Sequence, residues 1–272
     1  MSFDPEAVRA FEHAGWQKAA PAYRATFAAA SERFVDPLLD VAEIAAQTQL
    51  LDLCCGPGIV TGVAASRGAE ASGVDFSPAM LAEARAAYPA LHFHEGDAED
   101  LPLADASFDA VVSNFGIHHV PRPERALAEA FRVLRPGGRL AVTNWAAPAE
   151  NIAWQLLFDA VRLHGDPRAA QAPPSGGGLD SIEIVLRLLH EAGFAEATAE
   201  IVRREWRLAH PGDLIAVFRR GTVRTAALID AQRPAALLAV EAEIARRAAA
   251  YRRDGWYCIP IAAILGRGVK PR

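Results

Sequence analysis

The stretch LDLCCGPGIVTG, Leu51 to Gly62, joins a short apolar run to a glycine-rich turn and then to a helical pattern. A buried strand that runs directly into Gly56-Pro57-Gly58 is typical of a cofactor-binding turn, because the absent side chains let a ligand approach the backbone. The following helix adds unpaired N–H groups at its N-terminus. The next apolar run ends at Asp75, about 20 residues on, where a carboxylate can accept hydrogen bonds from ribose hydroxyls. The pattern predicts an adenosine-containing cofactor.

Strand and helix patterns alternate through the middle of the chain. Apolar or alternating runs predict five strands, at residues 49–55, 69–76, 91–100, 107–116 and 139–145. Helical patterns and short connections separate them. Because strands that alternate with helices form parallel sheets through right-handed crossovers, we expect an α/β fold with a doubly wound, mostly parallel sheet of the Rossmann-like kind.

The flanking segments are predominantly helical. Residues 5–47 predict helices, and beyond the core we expect further helices at about 149–165 and 181–194, and strands at 195–209 and 256–269. The stretch from Arg168 to Asp180 is rich in Pro and Gly and predicts a loop. We expect one domain in three parts: N-terminal helices that cover the site (1–48), a cofactor-binding core (49–148), and a remainder (149–272). In the last part, a helical insertion at about 209–253 is expected to cap the substrate.

Composition narrows the class of protein. The chain has 272 residues, 51% of them hydrophobic and 22% charged, with a formal net charge of -5. An acidic balance gives no electrostatic basis for nucleic-acid binding. No apolar run approaches the ~18 residues of a membrane span. The polar N-terminus has no signal-peptide pattern, so we expect a cytoplasmic protein.

The adjacent Cys54 and Cys55 allow two interpretations. They could form a redox pair or bind a metal, or they could be small packing residues at a crowded turn. Neighbouring residues chelate metals poorly, and no Cys/His cluster in the sequence has ligand spacing. We therefore favour packing and expect no metal.

Four segments, in order, resemble the motifs of class I S-adenosylmethionine (SAM)-dependent methyltransferases. They are LLDLCCGPGIVTG, GVDFSPAML, EGDAEDLPLADASFDAVVSNFGIHHV and LRPGGRLAVTNW, and the resemblance covers roughly residues 15–146. The nearest subgroup is the ubiquinone/menaquinone-biosynthesis-like methyltransferases. A dinucleotide enzyme matches less well, since the third glycine of its motif is replaced here by Thr61. One departure from the family is Cys54, which stands where the loop usually has its first glycine.

The resemblance implies SAM as cofactor, with S-adenosylhomocysteine as product, and a set of binding residues. Asp75 is expected at the ribose, Phe76 and Met80 beside the adenine, and Asp97 with Ala98 at the adenine edge. The other expected cofactor-binding residues are Asp52, Cys54, Gly56, Gly58, Thr61, Asn114 and Tyr23. Each aromatic, and Met80, has core packing as its alternative. Glu99 and Asp100 are expected to be exposed.

Two histidines are candidates for catalysis. His118 and His119 follow the fourth strand, at the edge where ligands bind, and an imidazole there could take a proton from the substrate. The alternative is a structural histidine. Trp145, Trp154 and Phe218 could line a substrate cavity or belong to the core.

The predicted function is transfer of a methyl group to a small-molecule acceptor, without nucleic acid or membrane as partner. The alternatives are SAM binding without transfer and, less favoured, an NAD-type oxidoreductase. Acceptor choice is expected to lie within residues 149–255. The sequence does not determine the acceptor or the oligomeric state, and a homodimer is left open.

Overall fold

A computed structural model describes residues 3–170, 172–173 and 179–272. Its α-helices are α1 (Pro5–Tyr23), α2 (Ala28–Ser31), α3 (Val35–Val41), α4 (Ile59–Ser66), α5 (Pro78–Ala87), α6 (Pro123–Val133), α7 (Ile152–His164), α8 (Ile182–Glu191), α9 (Asp213–Gly221), α10 (Arg224–Asp230) and α11 (Pro234–Ala248). Its strands are β1 (Gln49–Leu53), β2 (Glu70–Asp75), β3 (His92–Glu95), β4 (Phe108–Asn114), β5 (Leu134–Trp145), β6 (Ala195–Leu208), β7 (Arg252–Arg253) and β8 (Trp256–Val269). Residues 171 and 174–178 of the predicted Arg168–Asp180 loop lie outside the described residues.

The strands form one sheet in the order β3-β2-β1-β4-β5-β8-β6, with β7 paired to β8. The strands β1 to β5 pair in parallel, whereas β8 runs antiparallel to both β5 and β6. This topology confirms the predicted doubly wound, mostly parallel sheet. The strand order reverses between β1 and β4, and ligands bind at the carboxyl ends of strands where such a reversal occurs.

The two faces of the sheet are apolar and bury different helices. Alternate strand residues such as Leu51, Val111 and Leu140 pack with α6 and α8. The residues between them, such as Leu50 and Ala110, pack with α3 and α4. Because both faces are covered, the central strands are mostly apolar except near their carboxyl ends, which explains why they read as short apolar runs in the sequence.

A third apolar cluster lies where the chain after β5 meets the carboxyl edge of the sheet. It joins α7 and the helices α9 to α11 to Phe27, Phe34 and the fully buried Trp206. The helical insertion between β6 and β8 therefore packs on α7, and α9 also contacts α1. The role of this insertion as a cap over the substrate stays a prediction.

Two strands differ from the predicted bounds by more than two residues at one end. β3 ends at Glu95, several residues early, because the Asp97 side chain accepts a hydrogen bond from the Glu99 N–H and turns the chain. β5 begins at Leu134, directly after α6, because Leu134 already pairs with Phe108. Pro136 to Gly138 then form an irregularity inside the strand.

Among the described residues, no helix combines the length and the hydrophobicity that crossing a bilayer requires.

Lys270, just beyond β8, donates hydrogen bonds to the carbonyl groups at the C-terminal end of α6. Its Nζ donates to the carbonyls of Phe131 and Leu134, both at 2.7 Å, and lies 4.7 Å from the centre of the Phe131 ring. A cation at a helix C-terminus interacts favourably with the helix dipole and with carbonyls that have no intrahelical partner.

We expect Lys270→Met to lower the free energy of unfolding by about 1–3 kcal/mol, because the substitution keeps the apolar stem and removes the charged donor. Denaturant titration measures the change. Lys18→Met is the matched control, since Lys18 is 79% exposed and its pairing with Asp230 contributes little. An equal effect of both substitutions would contradict this account.

Candidate cofactor site

A cavity of about 950 Å³, including space open to solvent, lies at the carboxyl ends of β1, β2 and β4. Most residues predicted for cofactor or substrate line it. They are Tyr23, Asp52, Cys54, Gly56, Asp75, Phe76, Met80, Asp97, Ala98, Asn114 and His119. Gly58, Thr61 and His118 do not line it. The carboxyl ends of parallel strands meet at one edge of a sheet, so residues far apart in sequence converge here.

Asp52 is buried where β1 reaches this cavity. Its Oδ2 accepts hydrogen bonds from the Thr61 backbone N–H at 3.0 Å and from Thr61 Oγ1 at 2.7 Å. Burial raises the pKa of Asp52 to about 7, although these two bonds act in the opposite direction. Thr61 is fully buried and acts on the site by fixing the Asp52 side chain.

Asp75 ties the end of β2 to the glycine turn. Its Oδ2 accepts from the Gly56 N–H at 2.8 Å and its Oδ1 accepts from the Ser77 N–H at 2.9 Å. Burial raises the pKa of Asp75 to about 6. The predicted ribose-binding acid is therefore held in one orientation at the cavity wall.

Both glycines of the turn adopt the left-handed backbone conformation that favours glycine, with φ +53° at Gly56, but their surroundings differ. At Gly56, a Cβ would meet only Met80 Sδ at 3.9 Å, so the backbone is bare toward the cavity. Gly58 has φ +77°, and a Cβ there would lie 2.8 Å from the Phe93 ring. The structure thus gives Gly58 a packing reason and places it outside the cavity wall.

Cys54 occupies the left-handed region, with φ +58°, which is the conformation that a glycine would adopt without strain. Its side chain fits because it faces Gly116, where any Cβ would overlap the Cβ of Cys54. Cys55 packs in the same way on Gly73. Burial raises the pKa of both thiols well above the usual value, so neither is a ready nucleophile.

Two polar residues complete the wall next to β4. Asn114 donates to the Ser31 carbonyl at 3.1 Å and accepts from Thr143 Oγ1 at 2.6 Å. The Tyr23 hydroxyl lies 3.1 Å from Ser31 Oγ, and burial raises the pKa of Tyr23 to about 12. Helix α1 and the segment after it therefore reach the end of β4.

The helix α1 also contributes residues that the sequence motifs did not indicate. Arg9 lines the cavity and binds the carboxylates of Asp97 and Glu99. Glu99 is only 3% exposed and also pairs with Arg122, at 2.6 Å, so the expectation that Glu99 is exposed is wrong. Asp100 is exposed, as expected.

The histidines after β4 have different environments. His119 lines the cavity, and its Nδ1 lies 2.9 Å from Oε2 of the buried Glu12. His118 lies behind the wall, with its Nδ1 3.2 Å from Asn144 Oδ1. Burial, and next the neighbouring His119, lowers the pKa of His118 well below its usual value. Of the two predicted catalytic histidines, His119 is in place, whereas His118 fits the structural alternative.

The aromatic candidates divide between cavity and core. Phe115 and Trp16 line the cavity. Trp145 stacks on Phe115 at 3.8 Å between ring centres and continues into the apolar cluster that holds Trp154 and Phe218. Trp145, Trp154 and Phe218 do not line the cavity. They pack in the apolar core, which was the alternative expected for them.

A pattern in α1 could have revealed the missed residues. Arg9, Glu12, His13 and Trp16 recur at helical spacing and form one polar and aromatic stripe. A helix that buries such a stripe must meet polar groups on its partner.

Comparisons with known proteins identify the family and the fold of the chain. A family model described as a methyltransferase domain matches residues 51–142. The chain is 36% identical to the ubiquinone/menaquinone biosynthesis C-methyltransferase of Roseobacter denitrificans over 170 residues, which cover 55% of this chain and 67% of that protein. It is 41% identical to the demethylmenaquinone methyltransferase of Beutenbergia cavernae over 156 residues, 54% of this chain and 65% of that protein.

A solved structure of a phosphoethanolamine N-methyltransferase 2 from Haemonchus contortus, in complex with phosphomonomethylethanolamine and S-adenosylhomocysteine, has the same fold. The TM-score is 0.55 at 18% identity, over 88% of this chain and 53% of that chain.

The chain belongs to the class I SAM-dependent methyltransferase family, in its ubiquinone/menaquinone type, as the motifs predict. It spans about half the length of several curated relatives, between 42% and 65% for three demethylmenaquinone methyltransferases.

The contact between Cys54 and Gly116 generates a prediction about stability. Gly116→Ala should lower the free energy of unfolding by about 1–3 kcal/mol, because the new methyl group overlaps Cys54. In a Cys54→Gly background the same substitution should cost clearly less, because only the contact of the new methyl group with Ser113 Oγ, at 2.8 Å, then remains. A double-mutant cycle by denaturant titration measures this coupling, and additive effects would contradict it.

The raised pKa of Asp52 generates a second prediction. The ionised carboxylate is the form that burial penalises. The wild type should therefore lose stability as pH rises from about 4, where aspartate ionises in the unfolded chain, to about 7, where the folded form ionises. Asp52→Asn keeps an acceptor for Thr61 and stays neutral. The difference in unfolding free energy between Asp52→Asn and the wild type should therefore grow by up to about 4 kcal/mol across this range, in favour of the variant. Above this range the difference should stay constant.

Unfolding titrations of both proteins between pH 4 and pH 8 measure the difference. Asp105→Asn is the control, because Asp105 is largely exposed. A stability gap between wild type and Asp52→Asn that stays constant with pH would refute the prediction.

Proposed function

We propose that this protein catalyses SAM-dependent methyl transfer to a small-molecule acceptor. The observation that carries the proposal is the convergence of Asp52, Asp75 and Asp97 with the bare Gly56 backbone on one cavity at the carboxyl edge of the sheet. Polar groups and the apolar side chains of Phe76, Met80 and Phe115 line this cavity together, as is usual for small-molecule sites. Carboxylates suit the hydroxyl and ammonium donors of this ligand, so the residues present fit it.

Specific residues would hold SAM. Asp75 would accept from the ribose hydroxyls, with Phe76 and Met80 against the adenine. Asp97 would meet the edge of the adenine, although Arg9 also binds its carboxylate. Asp52 lies beside the turn and would hold the methionine part.

When bound, SAM would supply an electrophilic methyl group on a positively charged sulfur: an acceptor lone pair would form a bond to the methyl carbon, and the electron pair of the broken carbon–sulfur bond would stay on the sulfur of S-adenosylhomocysteine. The protein's part is to align the acceptor, exclude water and, where the acceptor is a hydroxyl or an acidic carbon, take its proton. His119 is our candidate for that base. Its Nδ1 is next to Glu12, which leaves Nε2 for the proton.

The same proposal gives each part of the chain a role in binding the cofactor or the acceptor. Residues 1–48 would cover the site, 49–148 would hold the cofactor, and the cap at about 209–253 within 149–272 would close the acceptor side. The names of the quinone-type relatives and the small ligand of the Haemonchus enzyme support a small-molecule acceptor. The cytoplasm remains the expected compartment, and a homodimer remains open.

The first experiment is calorimetric titration of the protein with SAM, S-adenosylhomocysteine and NAD⁺. We expect both sulfur compounds to bind. Asp75→Asn should weaken them by about 10²-fold, because the amide replaces an ionised acceptor. Asp100→Asn, on the exposed neighbouring loop, is the control and should bind as the wild type does. Binding of NAD⁺ alone would overturn the proposal.

A second measurement separates transfer from binding alone. Release of S-adenosylhomocysteine is followed with panels of phenolic, carboxylic and amine acceptors. Turnover with any of them supports methyl transfer. Tight SAM binding without turnover on all three panels would favour a SAM-binding protein that performs no chemistry.

A further inference from the structure

Glu12 is a buried carboxylate that no motif accounts for. It lies on α1, is 0% exposed, and has a partner on each oxygen. Its Oε2 is 2.9 Å from His119 Nδ1, and its Oε1 is 2.6 Å from Arg224 Nε. An ionised carboxylate is costly to bury unless both oxygens are satisfied by donors, and here both are.

The second nitrogen of His119 remains open. No described residue forms a hydrogen bond with Nε2. The His119 ring lines the cavity and its Nδ1 faces Glu12, which leaves Nε2 as the ring nitrogen available to the cavity. Trp16 meets the ring edge-on at 4.9 Å and His118 lies 3.9 Å away, which limits its rotation.

Arg224 connects this pair to the cap. It is the first residue of α10, and it also donates to the Pro173 carbonyl at 2.7 Å and lies over the Phe11 ring. Arginine can only donate, so Arg224 requires an acceptor at Glu12 Oε1. Glu12 is thus contacted by the cap on one side and by the cavity wall on the other.

We propose that Glu12 is a positioning residue that holds His119 with Nδ1 protonated and Nε2 free as the base, and that Arg224 maintains this state from the docked cap. The role of His119 as a base rests on the proposed function. The tautomer of His119 and its contacts with Glu12 and Arg224 do not depend on that function. His119 is then held in this tautomer only when α1, the segment after β4 and the insertion at about 209–253 are in contact.

The electrostatics of Glu12 agree with this role. Burial by itself would raise the pKa of the Glu12 carboxyl, but His119 and Arg224 together outweigh it and hold the pKa below the usual value. Glu12 therefore stays an acceptor at neutral pH. A carboxylate next to one imidazole nitrogen selects the tautomer that is protonated there.

Glu12→Gln gives a sharp test. Arg224 would take the amide oxygen, so the amide N–H groups would face His119. Nδ1 would then have to accept, and the ring would move its proton to Nε2. In Glu12→Gln with Arg224→Met, the amide can rotate and present its oxygen to His119, so the proton should return to Nδ1.

Nitrogen-15 NMR of histidine-labelled protein at pH 9, where ordinary imidazoles are neutral, reads this tautomer directly. His119→Gln assigns the signal. We expect Nδ1–H in the wild type, Nε2–H in Glu12→Gln, and Nδ1–H in the double variant. Glu6→Gln on the exposed side of α1 and Arg220→Met on α9 are controls that should leave the signal unchanged. A purely structural ion pair would not produce the reversal.

An Nε2–H tautomer in the wild type, or an unchanged one in Glu12→Gln, would overturn the proposal. The wild-type spectrum decides even where a variant fails to fold. With an acceptor from the turnover screen, Glu12→Gln should lower kcat by about 10²–10⁴-fold and leave SAM affinity unchanged. If the wild type does not bind SAM, the proposed function is refuted, but the result on the His119 tautomer still holds.

Discussion

The convergence of buried carboxylates at the reversal of strand order is the constraint on which the rest of the structure depends. Asp52 and Asp75 end neighbouring parallel strands, so the sheet brings both into one cavity. Each is held by backbone N–H groups of the glycine turn or the helix start. Removal from water still raises both pKa values, to about 7 and about 6. The fold therefore stores two unfavourable charges where a ligand with donors would relieve them.

Keeping these charges in place requires close packing around the turn. Cys54 adopts a backbone conformation that favours glycine, and the missing Cβ at Gly116 gives it room. The strain at one position is thus accommodated on the neighbouring strand end. Natural proteins often accept such strain at functional sites, where binding geometry outweighs local stability.

The cavity is enclosed by charge pairs as much as by apolar contact. Arg9 binds Asp97 and Glu99, and Glu12, one turn further along the same face of α1, binds His119 and Arg224. Partly buried pairs of this kind are directional, so they specify how α1 sits over the cavity. An apolar seam would hold the helix without fixing its rotation or connecting His119 to the helical insertion between β6 and β8.

The sequence by itself determined the sheet, the glycine turn and the acids at the ends of β1 and β2, because those residues are contiguous with the strands that carry them. The period of each run reports burial locally, so strand existence was predictable, whereas β3 and β5 differed at their ends where pairing decides. Only the tertiary structure decided the environment of His119 and the burial of Glu99. Glu12 lies 107 residues from His119 and 212 from Arg224, and no local pattern encodes which distant charges will share a buried space.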